Sequence, residues 1–382
     1  MSLTKKSRKP VDGAFRQQQL PAWQPVLTPK SVLPTFFIVG VLFLPIGGLL
    51  YWSSTKVNEI MINYTFCDKY TQPIYLHPSL YKSRFSQDHV GEAPAFYYEN
   101  VTQFLDTTWG NPNNLTIKRC TIDFTVPETM QGPIFMFYRL TNFNQNRRQY
   151  IKSYDPGQLA GQIVDPATLN SNCGPLAINE NNLIYYPCGL IANSMFNDTA
   201  SDLQSVTQPS IFYRFQRTNI AWPSDKQKYH PTTYSISSIV PPINWANRYP
   251  NGTYTQDYPP PDLSNMERLM IWMHVAALPD FRKLWARNDR ESLASDRWRI
   301  QIDLNFDTTP YGGTKWLVIS TTSPLGGKNP FLGIIYMTVG GIILLLGILF
   351  TLRHYLRPRK LADESFLYGN QGKINNKRRK EK

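Results

Sequence analysis

Residues 32–52, VLPTFFIVGVLFLPIGGLLYW, form a run of 21 residues without one Asp, Glu, Lys, Arg or His. As a helix rising 1.5 Å per residue, such a run is about 30 Å long, the thickness of a bilayer's hydrocarbon core. A soluble core helix rarely extends past about 14 residues without a polar face. The stretch therefore predicts a membrane span. It is too long for the apolar part of a cleaved signal, follows a 31-residue tail, and leads into YWSSTK (51–56) rather than a small-x-small cleavage pattern. An anchor that stays is expected.

A second uncharged run, residues 331–352, FLGIIYMTVGGIILLLGILFTL, matches it near the other end. Two spans predict a hairpin, with residues 1–31 and 353–382 on one side and residues 53–330 on the other. Charge sets the direction. The first tail carries six Lys/Arg and one acid, the second ten Lys/Arg and three acids, so they account for +5 and +7 of the formal +13. The basic balance is thus a positive-inside signal that places both tails in the cytosol, and it gives no reason to expect nucleic-acid binding.

The intervening segment agrees with a lumenal or extracellular location. All five Asn-x-Ser/Thr sequons, at Asn63, Asn100, Asn114, Asn197 and Asn251, lie between the two runs. All four cysteines, Cys67, Cys120, Cys173 and Cys188, lie there too, an even number suited to an oxidising compartment. Four cysteines allow three pairings, and the sequence alone does not choose among them. The short segment CGPLAINENNLIYYPC makes Cys173 and Cys188 natural partners, which would leave Cys67 with Cys120.

In chain order, residues 1–13 are basic and polar and are expected to be disordered. The following AFRQQQLPAWQPVLTPKSVLP (14–34) has prolines at 21, 25, 29 and 34, which rule out a continuous helix there. With Trp23 beside a span, this arm is expected to lie along the headgroup layer or a partner. Pro45 should weaken the first span near Val41. Gly40 and Gly47 share a seven-residue spacing with Gly333, Gly340 and Gly347, which would let helix backbones approach closely. Neither span carries a charge that could conduct an ion or a headgroup.

The segment between the spans reads as mainly β, an antiparallel sandwich-like ectodomain with long loops. Alternation is clearest at 299–306, RIQIDLNF, with further strands expected at 134–142, 211–216, 269–275 and 315–321. Helical turns are expected at 155–160 and 281–287. No HExxH, GxSxG, Walker-type loop or CxxC is present, and the lumenal histidines 77, 89, 230 and 274 are scattered. No spacing singles out a catalytic carboxylate pair, and no cofactor is expected. Arg147-Arg148 and FRKLWAR (281–287) could bind phosphate headgroups or acidic partners, although such runs are more often solvated faces.

Several long segments carry a resemblance. They are AFRQQQLPAWQP (14–25), FYRLTNFNQNRRQYIKS (137–153), PCGLIANSMFNDT (187–199), IAWPSDKQK (220–228), AALPDFRKLW (276–285) and GGKNPFLG (326–333). With them the chain resembles the accessory (β) subunits of type IV P-type ATPases, the lipid flippases, also called the cell-division-cycle-50 or LEM3-like family. The likeness runs from the arm to the second span. The two cysteine pairs are similar to those of fungal-type members, and Asn197 falls on a family glycosylation site. Asn144 departs from the family's usual aromatic.

The resemblance implies a non-catalytic subunit in a one-to-one complex with a large ATPase, which hydrolyses ATP and moves phospholipid to the cytosolic leaflet. This chain would supply stability, exit from the endoplasmic reticulum and transport competence, within the endoplasmic reticulum, Golgi, endosome and plasma membrane system. Trp23 and Pro25 would anchor the arm on the partner, and Asn329, Pro330 and Phe331 would fix the ectodomain above the second span. Two other classes share part of this outline: a subunit of a two-span ligand-gated channel, and a lumenal enzyme.

Overall fold

The computed structural model describes residues 13–15, 18, 20, 28–85, 92–103 and 115–357. The chain divides into two compact units, Met1–Tyr51 with Phe331–Lys382, and Trp52–Pro330.

The first unit is built on two long helices, Pro29–Thr55 and Phe331–Leu356, both long and apolar enough to cross a membrane. Pro29 takes the first helical position, where its missing N–H would have had no partner. Thr28 precedes it. Its carbonyl accepts from the amides of Ser31 (3.0 Å) and Val32 (2.9 Å), while Ser31 Oγ accepts from the Thr28 amide at 3.3 Å. The Ser31 hydroxyl reaching back to the Thr28 amide is one half of a capping box. The helix thus reaches back from the expected start at residue 32 to Pro29, into the proline-bearing stretch. Pro34 and Pro45 both lie inside the helix. Each forfeits one backbone bond, but in hydrocarbon only a helix satisfies all the others. The prolines at 21 and 25 lie outside the described residues.

The glycine spacing becomes a contact between these helices. A Cβ on Gly47 would stand 2.7 Å from the Met337 amide nitrogen and 2.9 Å from the Gly333 carbonyl oxygen. A Cβ on Gly333 would stand 2.6 Å from the Tyr51 nitrogen. Higher along the stripe, Gly40 faces Gly340 and Leu344, and Gly347 faces Phe36. Edge-to-face rings of Phe36 and Phe350, 5.6 Å apart, continue the seam. Most of the remaining helix surface is apolar and exposed, as lipid or neighbouring helices require.

The second unit is mainly antiparallel sheet. Its strands are β1 (Glu59–Asn63), β2 (Ile74–Tyr75), β3 (Tyr81–Arg84), β4 (Ala95–Gln103), β5 (Leu115–Val126), β6 (Ile134–Leu140), β7 (Ile184–Tyr185), β8 (Thr199–Ala200), β9 (Leu203–Ser205), β10 (Phe212–Tyr213), β11 (Ile239–Val240), β12 (Phe281–Asn288), β13 (Asp296–Asp303) and β14 (Lys315–Thr321). One sheet runs β12-β6-β14-β1-β3 and another β10-β9-β13-β5-β4-β2, with β8 also on β13. β7 and β11 form a separate parallel pair.

Period-two burial explains both sheets. Ile134, Met136, Tyr138 and Leu140 of β6 point inward, as do Trp298, Ile300 and Ile302 of β13, and all enter one apolar core. On the opposite face of the β13–β5 pair, Arg299 bonds Asp123 and Arg119 bonds Asp303, each at 2.7 Å. Such cross-strand charge pairs fix the register. Disulfides join Cys67 to Cys120 and Cys173 to Cys188. Closing loops of 53 and 15 residues, they restrict the unfolded chain by about 2–4 kcal/mol each.

Two expected elements are corrected. Residues 269–275, read as a strand, lie largely in the helix Glu267–Met273, which buries Leu269, Met270 and Trp272. An apolar run this short has no period that separates strand from helix. Residues 281–287, read as a helical turn, lie in β12, which pairs along β6 with a bulge between Leu284 and Ala286. The Leu, Ala, Lys and Arg there favour helix locally, but a long ladder against β6 outweighs that preference. The strand at 299–306 instead starts at Asp296 and ends at Asp303.

The core is rich in tyrosine, and burial raises their hydroxyl pKa values. Tyr150 and Tyr249 are pushed up to about 12, and Tyr64 and Tyr254 also rise well above the ordinary value. In the unfolded chain these groups ionise near pH 10. Above that pH the folded state holds more protons than the unfolded one, so stability present below about pH 10 is lost as pH rises. Thermal melts of the disulfide-intact chain should show a plateau near neutrality and a steep fall beyond about pH 10. A flat profile to pH 12 would contradict this burial.

Candidate functional site

The segment after β6 turns sharply at Asn142, whose φ of 57° lies in the left-handed region that asparagine tolerates. Its Nδ2 donates to the Tyr311 carbonyl. The Phe143 ring then enters an aromatic group with Tyr311 (5.3 Å), Trp272 (5.5 Å) and Tyr150 (6.2 Å). Gln145 is fully buried. Its Oε1 accepts the Ala276 amide at 2.8 Å, and its Nε2 donates to the Tyr150 hydroxyl at 3.3 Å. Asn146 Nδ2 donates to the Ala277 carbonyl at 2.9 Å.

Gly189 brings the next segment against this one. With φ of +96° it is a position for glycine, and a Cβ there would collide with the Ser153 carbonyl. The Leu190 amide donates to Ser153 Oγ at 2.8 Å, and Ser194 Oγ lies 2.8 Å from the Tyr150 hydroxyl. Trp272 Nε1 donates to the Ile191 carbonyl at 2.9 Å. Three of the segments singled out in the sequence, 137–153, 187–199 and 276–285, therefore meet in one place.

Between the first two of these segments and Tyr311 opens a groove of about 350 Å³, floored by Phe143, Tyr150, Leu190 and Tyr311 and rimmed by asparagines and Arg147. No carboxylate, histidine or cysteine is among its lining residues. Burial pushes the Tyr150 hydroxyl up to about 12, further from ionisation than an ordinary tyrosine. Its chemistry is that of an aromatic floor with amide and guanidinium groups at the rim, suited to holding a peptide loop.

The segment 220–228 is presented by a different device. Glu267, in the first turn of its helix, accepts the amides of Asn219 (2.8 Å), Ile220 (2.6 Å) and Ala221 (2.8 Å), with Lys226 Nζ also at 2.8 Å. Burial raises the Glu267 pKa, but Lys226 and these amides outweigh it and leave the carboxyl below its ordinary value. Asp225 is held by Lys228 (2.9 Å) and His274 Nε2 (2.5 Å). On this fixed loop stands Trp222, 66 % exposed, its ring 5.0 Å from that of His274. Leu278, in the segment 276–285, is 68 % exposed.

The domain also holds a buried charge cluster. Asp198 is fully buried and accepts from Lys315 Nζ (2.8 Å), the Tyr64 hydroxyl (3.0 Å), and the amides of Asn305 and Phe306 (2.6 Å each). Lys283 of β12 is held by backbone carbonyls. Its Nζ donates to the carbonyls of Ile271, Trp272 and His274 at the end of the helix Glu267–Met273, over the Trp272 ring at 5.0 Å. Burial draws its pKa down to about 7.

The sequence-predicted residues are placed unevenly. Trp23, Pro25 and Asn114 lie outside the described residues. The Asn329 amide donates to Ser54 Oγ at 2.8 Å, and Lys328 Nζ donates to the Val57 carbonyl at 2.7 Å, tying the two ends of the domain's chain together. Phe331 is 66 % exposed. Asn63 ends β1, buried, with its Oδ1 accepting the Thr65 amide and hydroxyl at 3.0 and 2.6 Å. Asn100 and Asn251 are exposed and Asn197 is half-buried. In the FRKLWAR run, Lys283 caps the helix, the exposed Arg282 bonds Glu59 at 2.8 Å and Arg287 pairs with Asp289 at 3.2 Å. The inward-pointing Asp198–Lys315 pair escaped sequence reasoning. Its one signal is a lysine on the apolar face of an alternating strand.

Residues 50–360 match the model of the LEM3 (ligand-effect modulator 3) / CDC50 family. The chain is 41 % identical over 364 residues to the phospholipid-transporting ATPase accessory subunit CRF1 of Saccharomyces cerevisiae, covering 95 % of this chain and 89 % of that protein. It is 39 % identical to the phospholipid-transporting ATPase accessory subunit CDC50 of Chaetomium thermophilum, over 95 % of this chain and 91 % of that one. Bovine (Bos taurus) cell cycle control protein 50A is 36 % identical over 93 % of this chain and 91 % of its own.

Proposed function

The chain belongs to the LEM3/CDC50 family, and on that premise we propose that it is the non-catalytic accessory subunit of a phospholipid-transporting P-type ATPase. The carrying observation is near-full-length identity of 41 % to a protein named for that role. The partner is a type IV P-type ATPase, bound one to one, which hydrolyses ATP and moves the lipid. This chain supplies stability, exit from the endoplasmic reticulum and competence for transport.

The proposed organisation is a cytosolic arm (1–31), a first span (32–52), a lumenal or extracellular domain (53–330), a second span (331–352) and a cytosolic tail (353–382). The basic tails support this direction. The arm grips the partner through Trp23 and Pro25, and Asn329, Pro330 and Phe331 anchor the domain to the second span. On the domain, the groove beside Tyr150 and the exposed Trp222 and Leu278 receive the partner's loops. Several contacts on one chain raise one another's effective concentration. The test is ATP-driven lipid movement by the purified ATPase with and without this chain. Restoration on adding it supports the role, and full transport in its absence overturns it.

Trp222 is a rigidly held, exposed aromatic, the usual makeup of an interface hot spot. Trp222→Ala should cost about 2 kcal/mol of binding, roughly thirtyfold in affinity, while the domain's melting temperature stays unchanged. Quantitative co-purification of the ATPase measures it, and undiminished recovery would remove Trp222 from the interface. Glycans are proposed on Asn100, Asn197 and Asn251, with Asn114 also a candidate. Asn63 is only 5 % exposed and engaged by Thr65. Glycopeptide mass spectrometry should find Asn63 bare and Asn251 modified. Full occupancy of Asn63 would contradict its burial.

A further inference from the structure

A second cavity lies where the long helices approach the chain's two tails. It measures about 470 Å³ and is lined by Thr28, Pro29, Val32 and Leu33 of one helix end and Phe350, Arg353, His354 and Arg357 of the other. Its composition is divided. Pro29, Val32, Leu33 and Phe350 make an apolar floor, and the two arginines, the histidine and the threonine make a polar rim. Arg353 and Arg357 are spaced i, i+4, so they project from one face of the helix. No acid lines the cavity. Among the described residues neither arginine has a carboxylate partner, and both are exposed.

The depth of the cavity is fixed by the sequence. Val32 and Leu352 end the uncharged runs. The two arginines therefore begin where the hydrocarbon stops, within about 8 Å along the helix. A guanidinium pair at that level, above an apolar floor, matches a phosphate whose acyl chains continue into the bilayer. The first turn of the helix beginning at Pro29 adds the positive end of its dipole to the same rim.

We infer that this cavity binds the headgroup phosphate of one anionic glycerophospholipid. The leaflet, cytosolic, rests on the membrane direction proposed above, whereas the ligand chemistry rests on the cavity alone. Arg353 and Arg357 grip the phosphate, Thr28 and His354 offer it hydrogen bonds, and Phe350 with Val32 and Leu33 packs against the glycerol and first methylenes. The chain thereby holds a lipid at the junction of its two helices.

The test uses the full-length chain in phosphatidylcholine nanodiscs with and without phosphatidylglycerol, read by native mass spectrometry after release. The wild type should retain one phosphatidylglycerol. The double variant Arg353→Gln/Arg357→Gln should retain it roughly tenfold more weakly, and Arg353→Lys/Arg357→Lys should recover much of the loss. Both variants alter exposed positions, and unchanged disulfides and yield show that they fold. Equal retention by wild type and the Gln variant overturns the site. So does phosphatidylcholine held equally well, or full displacement by inorganic phosphate, which would make the ligand a free anion. A variant lacking residues 1–27 that alone binds the lipid would show that the arm fills the cavity, and would also overturn it. An epitope at residue 382 reports direction separately: a lumenal epitope would move the lipid to the other leaflet and sink the proposed topology, leaving the arginine dependence intact.

Discussion

Replacing Asp198 by alanine is expected to destabilise the domain Trp52–Pro330 by about 3–5 kcal/mol, enough to deplete the folded protein. The carboxylate gathers four donors at 2.6–3.0 Å in a site closed to water. Removing it strands the Lys315 ammonium, itself only 4 % exposed, and orphans the amides of Asn305 and Phe306. Breaking such a pair costs far more than the pair contributes, because the surviving charge stays buried. The double variant Asp198→Ala/Lys315→Met should therefore recover part of the loss. Melting temperature and yield of the full chain measure both. If the single variant melts like the wild type, or the double variant is worse by the full sum, the cluster does not hold the domain as described. Asp198 is also the middle residue of the Asn197 sequon, so glycan occupancy there should be scored separately from stability.

A second large effect is expected in the helical unit. Gly47→Leu should cost about 1–3 kcal/mol through overpacking, because even a Cβ would lie 2.7 Å from the Met337 backbone. Backbone cannot step aside as a flexible side chain can. Gly48, one residue along, has nothing within 4 Å of its Cβ position, and Gly341 likewise. Gly48→Leu is thus the matched control on the same helix. Recovery of folded chain after heating in detergent should fall for Gly47→Leu and Gly333→Leu and hold for Gly48→Leu and Gly341→Leu. Equal behaviour of Gly47→Leu and Gly48→Leu would mean that the helices do not pack through the stripe.

What could be foreseen from the sequence follows from how many physical solutions each pattern has. A charge-free run of 21 residues has essentially one, so both long helices were legible, although capping by Thr28 moved the first start back to Pro29. Ile300 and Ile302 alternate with polar residues and sit on the core face of β13. That strand ends early because the amides of Asn305 and Phe306 turn away to Asp198, a partner over a hundred residues distant. The apolar run 269–275 and the mixed run 281–287 had two local solutions each. Tertiary contacts chose between them: Glu267 gathering the 219–221 amides for the helix, and β6 for the strand.

The groove beside Tyr150 was not legible. Its lining residues Tyr150, Leu190 and Tyr311 come from separate stretches of the chain, and no local pattern reports such a meeting. The segments forming it were recognisable only through resemblance. The sequence likewise placed Lys283 in a solvent-facing basic run, since nothing nearby in the chain announces three carbonyls from the helix Glu267–Met273 converging on its ammonium.

The most direct test of the central claim is the native mass of the complex recovered when the full-length chain is isolated from its own membranes in mild detergent. A single copy of this 44.0 kDa chain with its glycans, bound to a single P-type ATPase, is the predicted result. A ring of this chain alone, or a solitary chain that moves phospholipid across vesicles unaided, would contradict it.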